Sequence, residues 1–411
     1  MYLDLELTDR NQNVLTRLDG RRPGARVEIG LNAARRGFCP LSLEDPAYDH
    51  ADPVKTILRA TLKGGAEDKM LLNGRIIIPE QGVTEDGEAL GLNAVDPLFQ
   101  LDRALIRKVS GSTWEAKTFS ATDQSQVMWS LIEAASTHGI IKGDLPASIN
   151  RDRTYIPGKE VGPALVEMSE VIGGPDFELE PVMASDGTLC RFNTYYPRQG
   201  TDKSNDVVFT IGAPPYTATG FQFAPGGDEI VNRVLVIGAP LNNEGEEEQP
   251  FATFPAYVAE HKASIAQYGL FEQVVQLEDV VEGTTLKAHA EAVVAANAAP
   301  IPYFDFVTAF ERFSDEVGAG VPPIFGEDYW LGDTIGVRAY LGTARLNDLD
   351  EPVNAAGDLI DPLALTGRIT DAVITETENG LLQVKSTCAP EVSSVGISGG
   401  PVTLKVPEVV E

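Results

Sequence analysis

Cysteine and histidine are scarce in this chain, with 3 Cys and 4 His in 411 residues. Cys39, Cys190 and Cys388 are far apart, odd in number and without CxxC or Cys/His ligand spacing. That argues against a disulfide framework and a zinc centre, and isolated cysteines of this kind behave as small hydrophobes. His50, His138, His261 and His289 form no HExxH pair, and the chain has neither a GxSxG elbow nor a GxxxxGK[ST] phosphate loop. No apolar run is long enough to span a bilayer, so no membrane anchor is expected. Met1 to Asp9 alternates apolar and acidic residues instead of forming the apolar core of a leader, so folding in a reducing cytoplasm is expected. Positive charge is short as well: 32 Lys and Arg face 61 Asp and Glu, for a net charge of −29. Such a chain does not hold nucleic acid through a basic surface, because that mode needs clustered Lys and Arg.

What is present is β-type alternation, glycine and acid. The 39 Gly, 27 Pro and 43% hydrophobic content suit a folded, strand-rich and loop-rich protein, and the length suggests two to four domains. The acid is concentrated. Asp228 to Glu291 carries 12 acidic against 3 basic residues, and Asp348 to Glu411 carries 11 against 3. Arg17, Arg21, Arg22, Arg26, Arg35 and Arg36 crowd the N-terminal region, either as a solvated rim or as contacts to an acidic partner subunit.

Leu3, Leu5 and Leu7 alternate with Asp4, Glu6 and Thr8, which predicts a half-buried strand. Arg26 to Leu31 and Ile57 to Lys63 read the same way. Arg75 to Ile78, a turn around Gly82, Asp86 and Gly87, and Glu88 to Val95 form a hairpin pattern. Asp96-Pro97 then starts a short amphipathic segment, since Asp can cap and Pro at the first helical position gives up no needed donor. The pattern predicts a helix capped by Thr122 with Val127, Met128, Leu131 and Ile132 on one face, stopping near His138-Gly139. A second helix is predicted from about Gly162 to Ile172. A hairpin follows, from Phe177 to Met183 and from Leu189 to Tyr196, around Ser185-Asp186-Gly187.

After Gly227-Asp228-Glu229, Ile230 to Gly238 is an apolar strand interrupted by Asn232-Arg233, read as an outward-facing pair on an edge. Leu241 to Pro250 is an acidic loop and a candidate boundary. Thr284 or Thr285 is the expected cap of a helix from Leu286 to Ala298, ended by Pro300. Tyr303, Phe304, Asp305 and Phe306 could stack a sugar, or could be a strand with alternate faces buried. Gly332-Asp333 presents a strand through Ile335, Val337 and Ala339, and Gly367 to Val373 with Leu381 to Ser386 completes a meander.

Four stretches resemble the tail hub, or minor tail, proteins of siphophages, especially the actinobacteriophage type. They are Asn73 to Lys108 (NGRIIIPEQGVTEDGEALGLNAVDPLFQLDRALIRK), the VNRVLVIG string ending at Gly238, His261 to Glu272, and the WLGDTIGV strand beginning at Trp330. The resemblance implies an α+β protein with two β-barrel-like domains, an intervening small α/β domain and a helical insertion in the second barrel. The expected layout is 1–118 for the first barrel, 119–205 for the α/β domain, 206–242 plus 305–390 for the second barrel, 243–304 for the helical insertion and 391–411 for an exposed C-terminal arm. It also implies a structural virion component at the phage tail tip: a homotrimeric baseplate hub that adapts the symmetry of the tail tube or distal tail ring. Implied partners are distal tail and tail tube proteins, the tape measure protein and downstream tip or receptor-binding proteins, with DNA only in transit. No catalytic, cofactor-binding or metal residues are assigned, no cofactor is expected, and the protein is not read as an enzyme. The alternatives are a tail-associated cell-wall hydrolase, which needs only two well-placed carboxylates, and a glycan-binding tail protein. Tyr2 to Leu7 and Val231 to Ile237 are the strands expected to offer their edges to neighbouring subunits.

Overall fold

In a computed structural model the chain is a β-rich α+β protein. The described residues are 1–42, 45–84, 87–110, 113–135, 139–171, 173–184, 186–213, 216–226, 230–239, 251–277, 280–299, 301–309, 322–340, 345–347, 352–354, 356–390 and 397–407. Asp86, His138, Ile172, Ser185, Gly227-Asp228-Glu229, Pro300 and the whole acidic loop Leu241 to Pro250 lie outside them.

The largest element is a 13-stranded sheet. Its main path runs Thr219–Gly226, Ile301–Ala309, Leu382–Pro390, Leu363–Glu376, Arg26–Gly30, Arg36–Ser42, Gly87–Val95, Lys69–Thr84, Ile57–Lys63, Tyr2–Thr8 and Val14–Arg17. Val208–Ile211 and Thr334–Ala339 branch from Leu363–Glu376. The two regions expected as separate barrels are therefore joined by one seam, where Arg26–Gly30 lies antiparallel to Leu363–Glu376 with Ile29 opposite Ala372. They also share one hydrophobic cluster, which includes Leu5, Val27, Leu72, Phe209, Phe306, Ile335, Ile369 and Val384. No closed barrel is formed among the described strands. Alternation drives this packing. In Leu363–Glu376 the buried residues Gly367, Ile369, Ala372 and Ile374 recur at the strand period, with one shift at the bulge between Ile369 and Asp371.

A second core sits beneath α1 (Leu98–Leu101), α2 (Gln124–Ala134) and α3 (Val161–Glu170). Val127, Met128, Leu131 and Ile132 of α2 pack with Leu165 and Met168 of α3 and with Phe177 and Phe192 of the strands Asp176–Pro181 and Cys190–Tyr195. The cap of α2 is Asp123, one residue after the expected Thr122. Its carboxylate accepts the Gln126 amide at 3.2 Å, while Thr122 still belongs to the strand Lys117–Asp123. This unit meets the large sheet through polar contacts. The Asn73 amide donates to the Val182 carbonyl at 2.8 Å, Gln12 donates to the Thr188 carbonyl, and Arg35 pairs with Glu178.

A third core lies between α5 (Gly283–Asn297) and a four-stranded sheet ordered Glu272–Gln276, Arg233–Ile237, Phe251–His261 and Ile397–Pro407. The expected helical insertion is thus only partly helical, because two of its segments are strands that pair with or beside Arg233–Ile237. The expected exposed arm contains a strand, Ile397–Pro407, antiparallel to Phe251–His261 along its whole length. Its Gly-Gly-Pro content reads as loop locally, but its pairing partner lies far away in sequence. Helix α5 begins at Gly283 with Glu282 in the cap position and Thr285 donating to the Glu282 carboxylate at 2.9 Å, so neither candidate Thr occupies the cap.

Candidate functional site

No reactive centre is expected from the sequence, and the structure puts the residues singled out there to structural use. His261 caps α4 (Lys262–Tyr268), with Nδ1 accepting the Ser264 amide at 3.1 Å. His289 is buried on α5, where burial and the nearby Arg151 cation hold its pKa below the ordinary imidazole range. Phe304 and Phe306 are buried in the large core, and Asp305 between them pairs with Lys385 at 2.8 Å. From Phe304 to Phe306 the aromatic-acid cluster is therefore a strand with alternate faces buried; the Tyr303 side chain lies outside the described residues. Cys39, Cys190 and Cys388 are free and buried, and burial raises each thiol, Cys39 to about 12. Among the described residues no three His, Cys, Asp or Glu side chains are placed to hold a metal ion, and no helix is long and apolar enough to cross a membrane.

The arginine-rich N-terminal region is largely spent within the chain. Arg17 pairs with Glu6 at 3.2 Å, Arg21 with Glu376 at 2.9 Å, Arg26 with Glu28 at 3.1 Å, and Arg35 with Glu178.

Asn232 is not an outward-facing edge residue. It is fully buried. Its amide donates to the Gly269 carbonyl at 2.6 Å and to Ser264 Oγ at 3.2 Å, and its Oδ1 accepts the Phe271 amide at 2.8 Å. One side chain thus fastens the turn after α4, where Gly269 has a φ of 91° that favours glycine. Arg233 reaches both flanking strands, pairing with Glu260 at 3.1 Å and Glu272 at 3.0 Å.

The WLGD motif is a junction. Gly332 has a φ of 84°, and a Cβ there would lie 2.5 Å from the Gln199 carbonyl oxygen. Asp333 is buried and accepts the Thr201 amide and the Trp330 amide, each at 2.8 Å, while Lys203 pairs with it at 2.9 Å.

Of the two strands expected to offer edges, one is closed on both sides and the other is only partly covered on one side. Arg233–Ile237 is paired on both sides, and Tyr2–Thr8 is paired with Ile57–Lys63 along its length and with Val14–Arg17 at one end. Among the described residues, the unpaired edges of the four-stranded sheet belong to Glu272–Gln276 and Ile397–Pro407. Glu272–Gln276 reads EQVVQ, without Lys, Pro or a bulge to blunt it. Val274 is 61% exposed, and Leu270 and Phe271 beside it are also exposed. Val275 packs inward against the α5 core. Helix α5 covers one face of this sheet through Val234 and Val236, and the opposite face carries Leu235, Ile237 and Val258, each only half-buried.

A polar cleft of about 760 Å³ separates the large sheet from the α/β unit. Arg35, Lys69, Glu178, Tyr195, Trp330 and Asp333 are among its walls. Tyr195 donates to the second Glu178 oxygen at 2.7 Å, and burial beside that carboxylate raises the phenol well above its usual range.

No protein-family model matches the chain, and no curated protein matches it. Solved structures do. A tail protein from Neisseria meningitidis MC58 superposes with a TM-score of 0.56 at 10% identity, over 95% of this chain and 97% of that one. The 43 kDa tail protein of prophage MuSo2 from Shewanella oneidensis gives 0.52 at 10% identity, over 94% and 97%. The chain therefore has the fold of these tail proteins over nearly its whole length.

Proposed function

We propose that the protein is a structural component of a phage tail or baseplate, acting as a homotrimeric hub. The observation that carries this reading is a shared fold that spans both this chain and the two tail proteins almost end to end. The edges left free among the described residues and the half-exposed apolar face of the four-stranded sheet support it, since a sheet with an unpaired strand at each end is suited to head-to-tail contact in a closed ring. Two related halves per subunit, repeated three times, would present six similar units to a sixfold tube or distal tail ring. The net charge of −29 suits a lumen past which DNA slides without sticking. In this reading the partners are distal tail, tail tube, tape measure and tip proteins, the location is the virion tail tip, and no catalysis is involved. The two-barrel layout and the narrower actinobacteriophage type rest on the four sequence motifs alone. The glycan-stacking alternative loses its main support because Phe304 and Phe306 are core residues.

Light scattering on the purified chain, with negative-stain class averages of the same peak, tests the proposal. A species of three times the chain mass with a central hole is expected. A strict monomer, both alone and when mixed with the cognate distal tail protein, would overturn it.

A further inference from the structure

Charge is divided unevenly along this chain. Residues 1–120 hold 16 Lys and Arg against 18 Asp and Glu, a balance of −2, whereas residues 121–411 hold 16 against 43, a balance of −27. Like charge keeps the acidic parts of two copies apart, so copies meet most favourably where the nearly neutral part of one faces the acidic part of the next. One region of the first part is locally basic: residues 101–117 carry four Lys and Arg against two Asp and Glu, and Arg107 is exposed. It contains a short hairpin, Lys108–Ser110 with Thr113–Glu115, that joins no other strand among the described residues. A two-stranded hairpin is marginal by itself and is steadied by adding to a further strand. Trp114 on it is 45% exposed. Leu105 and Ile156 are exposed at the same end of the α/β unit, because Leu105 bridges to Glu160 and Lys117, three residues after Trp114, pairs with Tyr155. An exposed Trp among aliphatic residues and an arginine is the composition of an interface centre.

The complement lies elsewhere on the same chain. Leu270, Phe271 and Val274 are exposed along Glu272–Gln276, whose outer edge is unpaired among the described residues. The stretch Glu260 to Glu282 carries five acidic residues and one basic. Glu260 and Glu272 pair with Arg233, and the balance stays negative with that cation counted. The two patches lie toward opposite ends of one strand of the α/β unit, Asn150–Tyr155. At its start, Arg151 lies near His289 of α5, which packs on the sheet that ends in Glu272–Gln276. At its far end, Tyr155 leads to Ile156 and the hairpin. A contact between the patches therefore joins different surfaces of successive copies, which is the head-to-tail geometry that closes a ring. Resting on the trimeric reading above, we propose that the hairpin of one copy docks on the edge strand Glu272–Gln276 of the next, with Trp114 on the apolar group around Val274 and Arg107 toward its acidic flank. Strand addition at an open edge supplies the backbone bonds, and the Trp and the charges select the partner.

The test is cysteine cross-linking of the full-length chain, alone and mixed with the cognate distal tail protein. Cys39, Cys190 and Cys388 are buried, so cysteines introduced at the surface react first. Lys108→Cys and Gln276→Cys leave Trp114 and Val274 in place. Treated with a short bismaleimide, the double variant is expected to give a covalent species of three chains on a denaturing gel, and each single variant to stay at one chain. Trp114→Ala should raise the concentration needed for the trimer at least ten-fold, with the chain still folded by circular dichroism. A native trimer whose double variant gives no covalent species, or that Trp114→Ala leaves intact, would overturn this contact and leave the hub reading standing. Cross-linking in a single variant would overturn the head-to-tail pairing. A native chain that forms no trimer under either condition would overturn both readings.

Discussion

Arg368 reaches from the large sheet to Asp176 of the α/β unit, its guanidinium 2.5 Å from the carboxylate. The same guanidinium donates to the carbonyls of Gly332 at 3.1 Å and Gln199 at 2.9 Å. Asp176 in turn accepts the Gln199 amide at 2.7 Å and the Asn32 side chain at 2.9 Å, and Asn32 accepts the Phe177 amide at 2.7 Å. Three stretches remote in sequence are pinned by one buried carboxylate. With the Asn73, Gln12 and Arg35 contacts, this pair is one of the polar ties that hold the unit to the sheet.

Asp176→Ala should therefore be severe. It leaves the largely buried Arg368 cation without its counter-charge and removes acceptors from Asn32 and Gln199. Breaking one side of a buried pair costs about 3–5 kcal/mol. Denaturant unfolding of the single variants and of Asp176→Ala/Arg368→Met measures it. The double variant is expected to be less destabilised than the sum of the two singles, because the stranded charge is gone.

Asn232 is the second junction, and its loss should be felt locally. Asn232→Ala removes two donors and one acceptor from the turn that joins α4 to Glu272–Gln276, for an expected cost of about 1–3 kcal/mol. Hydrogen exchange should quicken in residues 262–276 before it does in the large sheet. Unchanged protection there would show that the turn is held by other contacts.

These junctions mark the limit of what local sequence carries. Strand alternation at Leu3, Leu5 and Leu7, the hairpin ending at Val95, both helices of the α/β unit and the turn at Gly332 were legible, because each depends on neighbours within a few residues. The pairing of Arg26–Gly30 with Leu363–Glu376 was not, since more than three hundred residues intervene and each strand reads alike with any partner. Asn232 was misread for a related reason. A polar residue in an apolar strand looks outward-facing unless the turn that needs its amide is known to fold back onto it. EQVVQ identifies a strand, but only the sheet order leaves it unpaired on one side among the described residues.

Asp96 gives a pH prediction. It is buried, its Oδ1 accepting the Leu98 amide and its Oδ2 the Arg35 amide, each at 2.9 Å. Burial outweighs those bonds and raises its pKa from 3.8 to about 6. A carboxyl raised in the folded state binds its proton more tightly there than in the unfolded chain, so its contribution to stability is fullest below about pH 4 and falls as pH rises to about 6. The loss is on the order of 3 kcal/mol. Asp96→Asn removes the titration but sets an amide donor against one of the two backbone donors. The variant should be less stable than the native chain at pH 4 and the gap should narrow by pH 7, measured by denaturant midpoints across that range. A gap independent of pH would show that Asp96 keeps an ordinary pKa.

The edge strand Glu272–Gln276 separates assembly from folding. Val274 is 61% exposed, with its backbone in register opposite Leu235 and the outer edge of its strand unpaired among the described residues. A lysine there has room to reach water, so Val274→Lys should change stability by no more than about 0.5 kcal/mol. Charge on an open edge is, however, a well-established block to strand addition. If the ring closes through this sheet, Val274→Lys should shift the purified protein from trimer to monomer at an unchanged melting temperature. A comparable change at the exposed Met183, on the α/β unit, should leave the trimer intact. A trimer that survives Val274→Lys would place the subunit contact elsewhere, and the half-exposed face of Leu235, Ile237 and Val258 would be the next surface to alter.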